Sequence, residues 1–167
     1  MFRNQPERAS VGPGQESVWD YPRPPRVERT QQVLRVSFGG QVAAETTRGV
    51  RVLETASPPT FYFPPEEVRL DLLQPSGNQT FCEWKGFAEH FDISVEGETS
   101  RRAAWSYARP SAGYEEIAGY VAFYPSRVDN ATVDGEPVQA QAGGYYGGWI
   151  TGMVVGPFKG DPGTEGW

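Results

Sequence analysis

Apolar and polar positions alternate over short stretches of the chain, and each stretch ends at glycine or proline. Leu34, Val36 and Phe38 alternate with Arg35 and Ser37, and Gly39-Gly40 then supplies a hairpin turn. In residues 50–54, Val50, Val52 and Glu54 share one face of a strand while Arg51 and Leu53 share the other. TFYF, residues 60–63, predicts a third strand between Pro58-Pro59 and Pro64-Pro65. PEEVRLDLLQP, residues 65–75, supports two readings. Pro65 can open a helical turn, with Glu66 and Glu67 favoured by its dipole and Pro75 ending it. Alternation of Val68, Leu70 and Leu72 fits a strand equally well. Further strands are predicted at FCEWK (81–85), FDISVEG (91–97), AWSYA (104–108) and YVAFYP (120–125), and around the Asp134-Gly135 turn. This density of short strands predicts an all-β fold, a compact antiparallel sandwich or open barrel with at most short helical turns.

Glycine (20) and proline (15) are frequent enough to exclude long helices and to mark the ends of the domain. Residues 1–17 are polar and aperiodic and are expected to form a flexible lead-in to a β domain over 18–142. Residues 143–167 form a tail rich in glycine and aromatics. VWDYPRPPRV (18–27) cannot be a central strand, because its prolines lack the donors of a ladder. Leaving Trp19, Tyr21, Trp149 and Phe158 in water would forfeit ~1.5–3 kcal/mol for each large side chain. Both ends are therefore expected to pack on the β domain or on a partner, with a homodimer through the Trp19/Tyr21 segment or the tail as one form.

Charge and cysteine usage narrow the function. A net charge of −6 argues against nucleic acid or an anionic membrane as partner, since both reward clustered Lys and Arg. One cysteine and one histidine exclude an intramolecular disulfide and a paired-cysteine zinc site, so no cofactor or metal is expected. No stretch approaches the ~18 apolar residues of a membrane span, and the first fifteen residues lack the apolar run of a secretory signal. A reduced, cytoplasmic protein is the expectation, with a small organic molecule as its partner.

The candidate chemistry lies in a few places. Glu54 shares its face with two valines, where a carboxylate must be paired, hydrogen-bonded or protonated unless the strand ends in water. FCEWKG (81–86) holds the lone Cys82 beside Trp84 and Lys85. Alternation puts Cys82 and Trp84 on one face and Lys85 on the other, unless the chain turns at Gly86. Cys82 is otherwise a small core hydrophobe and Lys85 a solvated surface charge. Tyr62, Trp84, Trp105 and Tyr107 can wall a pocket, each offering a polar tip, or can serve as ordinary core. His90 reads as an exposed strand residue rather than a base. Neither GxxxxGK[ST] nor GxSxG occurs, and GPFKGD lacks phosphate-loop spacing.

GVRVLETASPPTFYFPPEEVRLDLLQPS, followed by FCEWKG, AWSY and IAGYVAFYPSRVD, resembles the DUF427 family of small, mostly bacterial domains of unknown function. The resemblance spans residues 16–167 and implies a compact β-rich domain. Its most characteristic polar and aromatic positions fall on Glu54, Tyr62, Cys82, Lys85, Gly86, Trp105 and Tyr107. The family is sometimes labelled nucleotidyltransferase, but this chain has no Gly-Ser turn and no Asp-x-Asp to hold magnesium. The expected function is small-molecule binding in a partly enclosed pocket lined by Glu54, Tyr62, Cys82, Lys85, Trp105 and Tyr107. Within it, Glu54 and Lys85 are expected at ion-pair or single-water distance beside Trp105 or Tyr107. Two alternatives stand beside it: an enzyme with Lys85 or Cys82 as nucleophile and Glu54 as acid/base, and an interaction or scaffold domain.

Overall fold

A computed structural model describes residues 7–161, 163, 164 and 167. Its strands are β1 (Glu16–Ser17), β2 (Arg26–Arg29), β3 (Leu34–Phe38), β4 (Gln41–Thr46), β5 (Val50–Leu53), β6 (Thr60–Phe63), β7 (Leu73–Cys82) and β8 (Gly86–Val95). They continue with β9 (Glu98–Ser106), β10 (Val121–Phe123), β11 (Asn130–Val133), β12 (Glu136–Pro137), β13 (Gln139–Ala140), β14 (Trp149–Ile150) and β15 (Val154–Val155). Seven of them form an antiparallel sheet in the order β2-β5-β6-β10-β9-β8-β7. A second antiparallel sheet runs β12-β11-β3-β4, and neither closes into a barrel. Two small pairs, parallel β1-β15 and antiparallel β13-β14, lie outside them. Helical structure among the described residues is confined to three-residue turns, so the fold is all-β, an open antiparallel sandwich. No helix is long and apolar enough to cross a membrane.

The two large sheets share one core. Leu34 and Val36 of β3 and Ala131 and Val133 of β11 meet Phe61 and Phe63 of β6 and Val121 and Phe123 of β10. Alternation sends Tyr62 and Ala122 to the opposite face of the seven-stranded sheet, where they join Val50, Val52, Ala88, Trp105 and Tyr107. Strand β8 serves both faces. Plain alternation accounts for this: Ala88 lies with the second cluster while Ile93 and Val95, of opposite parity, reach the shared core. The register between β8 and β9 shifts between Phe91 and Ile93, and in the resulting β9 bulge Arg102 takes φ +52°, with its backbone N–H donating to Asp92 Oδ1 at 2.8 Å.

One further element follows one of its two predicted readings except at its end, and another forms differently. Residues 65–75 make two short 3-10 turns, Pro65–Glu67 and Leu70–Leu72, and Pro75 does not end a helix but lies within β7. β7 is an edge strand, so the missing N–H costs no ladder bond, and its register shifts between Pro75 and Gln79. FCEWK is not a strand throughout: β7 ends at Cys82, and residues 83–85 form the tip of a hairpin.

The ends of the chain pack on this frame. Trp149 is buried against Phe61 and Phe63, and its indole N–H donates to the Phe123 carbonyl at 3.0 Å. Trp19 donates to the Pro157 carbonyl at 2.9 Å, and Val18, Tyr21, Leu53 and Val154 form a third apolar cluster. Arg51, nearly buried on the β5 face away from the second cluster, is gripped by Glu16 at 2.6 Å and Glu28 at 2.7 Å. Of the expected lead-in over 1–17, residues 1–6 lie outside the described residues, and so do 162, 165 and 166 of the tail. Trp149→Ala should lower the unfolding free energy by about 3–5 kcal/mol in urea titrations followed by circular dichroism. A loss below about 1 kcal/mol would show that the tail is no part of the core.

Candidate functional site

The tip of the β7–β8 hairpin builds one wall of the site. Cys82 pairs with Gly86, whose φ of +97° closes the three-residue turn at a conformation other residues adopt only with strain. The Ser111 backbone N–H donates to the Lys85 carbonyl at 2.9 Å and pins the tip against the loop after β9. Lys85 therefore escapes strand alternation and turns to the same side as Cys82 and Trp84. Glu54 arrives from the end of β5, Tyr62 from β6, Trp105 from β9 and Tyr107 from just beyond it. These side chains line a cavity of about 510 Å³. All six residues singled out in the sequence lie on its wall.

The expected ion pair forms with a different partner. Glu54 is held by Arg23 at 3.3 Å, and among the described residues no carboxylate lies within 4.0 Å of the Lys85 ammonium. Arg23 comes from the proline-rich segment, whose approach to β5 the sequence pattern does not reveal. Lys85 lies instead 5.7 Å from the Tyr107 ring centroid. Burial works against its charge, but the neighbouring Tyr62, Cys82 and Glu54 outweigh it and hold the ammonium's pKa above its usual value. Burial pushes the phenols of Tyr62 and Tyr107 upward, so both stay neutral. Tyr62 accepts a hydrogen bond from the Trp105 indole at 3.2 Å. This wall thus presents a fixed cation, neutral phenols and a half-buried thiol.

The other end of the cavity holds groups the pattern did not single out. Trp105 packs on Tyr124 at 4.6 Å between centroids, and the Arg127 guanidinium lies 4.2 Å from the Tyr124 ring. Arg127 donates to the carbonyls of Arg102 and Gly144 at 2.8 and 2.9 Å. His90, expected on the exposed face of a strand, is instead only 2% exposed. Alternation with Ala88 puts it on the cavity side, where its ring stacks near Tyr124 and its Nε2 bonds Thr80 Oγ1 at 2.8 Å. Its Nδ1 is buried with no hydrogen-bond partner among the described residues. Tyr124 was legible in principle, lying two residues beyond Ala122 on the same face. Arg102 and Arg127 carried no such signal, since one sits at the bulge and the other in a 3-10 turn.

A strap of the tail crosses this end. Tyr145 and Tyr146 lie on it between glycine pairs, and the Lys159 ammonium sits 4.8 Å from the Tyr146 ring centroid. Gly147 must be glycine: a Cβ there would collide with the Trp105 ring. Gln141, buried, accepts from the Gly148 N–H and donates to the Lys159 carbonyl, fixing the base of the strap.

Burial first, then the charges of Arg102 and Arg127, depress the His90 pKa below 6.5. Below pH 6.5 the unfolded chain therefore takes up a proton that the folded chain refuses, so stability falls as pH falls through that window. Urea midpoints should drop between pH 7.5 and 5.5 in the wild type and drop less in His90→Asn. Equal drops in both proteins would exclude a buried neutral imidazole.

Compared with curated proteins, the chain has no match. Compared with protein-family models, residues 26–134 match the family described as "Domain of unknown function (DUF427)". The matched stretch includes every strand of the seven-stranded sheet and both cavity ends on it, from Glu54 and Lys85 to His90 and Arg127. The chain belongs to the DUF427 family.

Proposed function

We propose that the protein binds a small organic molecule in the cavity between the β7–β8 hairpin tip and the tail strap. The observation that carries this reading is the cavity itself. About 510 Å³ falls within the ~300–1,000 Å³ of typical ligand sites, and a few convergent polar groups interrupt aromatic walls. Lys85 supports binding over covalent chemistry, because a nucleophilic amine must be neutral and its surroundings favour the ammonium. Glu54, tied to Arg23, is placed to orient a donor on the ligand. A single free thiol in the cavity wall suits a reducing, cytoplasmic setting.

A thermal-shift screen of metabolites tests the reading. A ligand at 100 times its Kd adds about 2.7 kcal/mol to the native state, several degrees in Tm for a chain of this size. Hits on the wild type should shift less, or not at all, with Lys85→Ala and Trp84→Ala. A screen in which hits are indifferent to both substitutions, or in which no compound shifts the wild type, would count against a ligand in this cavity.

A further inference from the structure

An aromatic row crosses the cavity with a cation at each end. Lys85 faces Tyr107, Tyr107 neighbours Tyr62 at 6.5 Å, Tyr62 meets Trp105 edge-on at 6.1 Å, and Trp105 continues to Tyr124 and Arg127. The two ends differ electrostatically. Glu54 stands near Lys85 and is among the charges that raise its pKa. At the other end Arg102, Arg127 and Lys159 all line the cavity, and the ion pairs among the described residues are made by other basic residues. In a chain with 21 acidic and 15 basic residues, cations left without carboxylates on one cavity wall mark a place for an anion from outside.

The guanidinium of Arg127 is set for this. Stacking on Tyr124 and its bonds to two carbonyls fix the plane while engaging two of its five N–H donors, so the others remain for a ligand. His90 lies at the same end, a buried polar side chain on the cavity wall beside Tyr124 whose Nδ1 has no hydrogen-bond partner among the described residues.

Resting on the binding function proposed above, we propose that the ligand is a planar aromatic anion. Its carboxylate or phosphate sits at the Arg102–Arg127 end, and its ring lies along Trp105 and Tyr124 beneath the tyrosine strap. Guanidinium recognises either anion through paired N–H bonds, and the offset aromatics reward a flat apolar body. The Lys85–Glu54 end then takes a neutral polar substituent.

Four probes of one ring system test the charge preference: 1-naphthoate, 1-naphthyl phosphate, 1-naphthalenemethanol and 1-naphthylmethylammonium, titrated by calorimetry at low ionic strength. The two anions should bind at least about ten-fold tighter than the alcohol, and the ammonium weakest. Their relative affinity decides between carboxylate and phosphate. Arg127→Gln should remove most of the preference for anions, read as the ratio of anion to alcohol affinity in the same variant, and Arg127→Lys should restore part of it. Arg35→Gln, whose arginine pairs with Glu45 on the exposed surface, should behave as wild type. Near-ultraviolet circular dichroism checks that each variant is folded, and Arg102→Gln repeats the test should Arg127→Gln not fold. Equal binding of all four probes, or a preference for anions that survives both glutamine substitutions, would overturn the anion assignment while leaving the cavity a ligand site. Failure of every probe to bind, together with an empty metabolite screen, would overturn both.

Discussion

The middle strands of the seven-stranded sheet carry large apolar side chains on both faces, and so both faces must be covered. On one face the four-stranded sheet does this with interdigitating aliphatic and phenylalanine side chains. On the other face the described residues include no second large sheet, and the cover is assembled from loops, the hairpin tip and the two ends of the chain. Such pieces fill a face incompletely, because irregular backbone needs its own hydrogen-bond partners and cannot lie flat on a sheet. The cavity is the part of that face they leave open.

Charge is distributed along the same division. Arg51, on the other face of β5, is buried and its guanidinium is gripped by two glutamates, the arrangement that makes a buried cation tolerable. Burial opposes its charge, yet the bonds to Glu16 and Glu28 raise its pKa. The cations of the cavity make no such pairs among the described residues, and they persist because the opening keeps them in contact with solvent. His90 responds to both conditions at once. Deep burial and two neighbouring arginines each disfavour its protonation, which leaves a neutral imidazole at the base of a positively charged pocket.

The tail joins core to cavity. Trp149 is locked into the shared core, so the residues before it must run close over Trp105, and only glycine at position 147 permits that approach. The exposed tyrosines 145 and 146 ride on this passage. A substitution at Trp149 would therefore reach the site through the backbone as well as weaken the core.

By itself, the sequence determined what local physics controls. Period-two alternation and Gly-Gly or Asp-Gly turns set β3, β4 and the β11–β12 hairpin, and paired prolines bounded β6. The same alternation, with Glu54, Tyr62, Trp105 and Tyr107 at sheet-facing positions, was enough to indicate one wall of the cavity. Tertiary structure alone decided the rest. Simple alternation continued FCEWK as a strand, because its turn depends on a positive φ at Gly86 and a bond from Ser111, some 26 residues away. It also left His90 in water, because the groups that cover its face, Thr80 and Tyr124 among them, come from other segments of the chain. Glu54 took Arg23 rather than Lys85 because the proline-rich segment runs beside the end of β5. Arg102 and Arg127 come from a bulge and a turn with no shared periodicity, so only the folded sheet brings their charges to one end of the cavity.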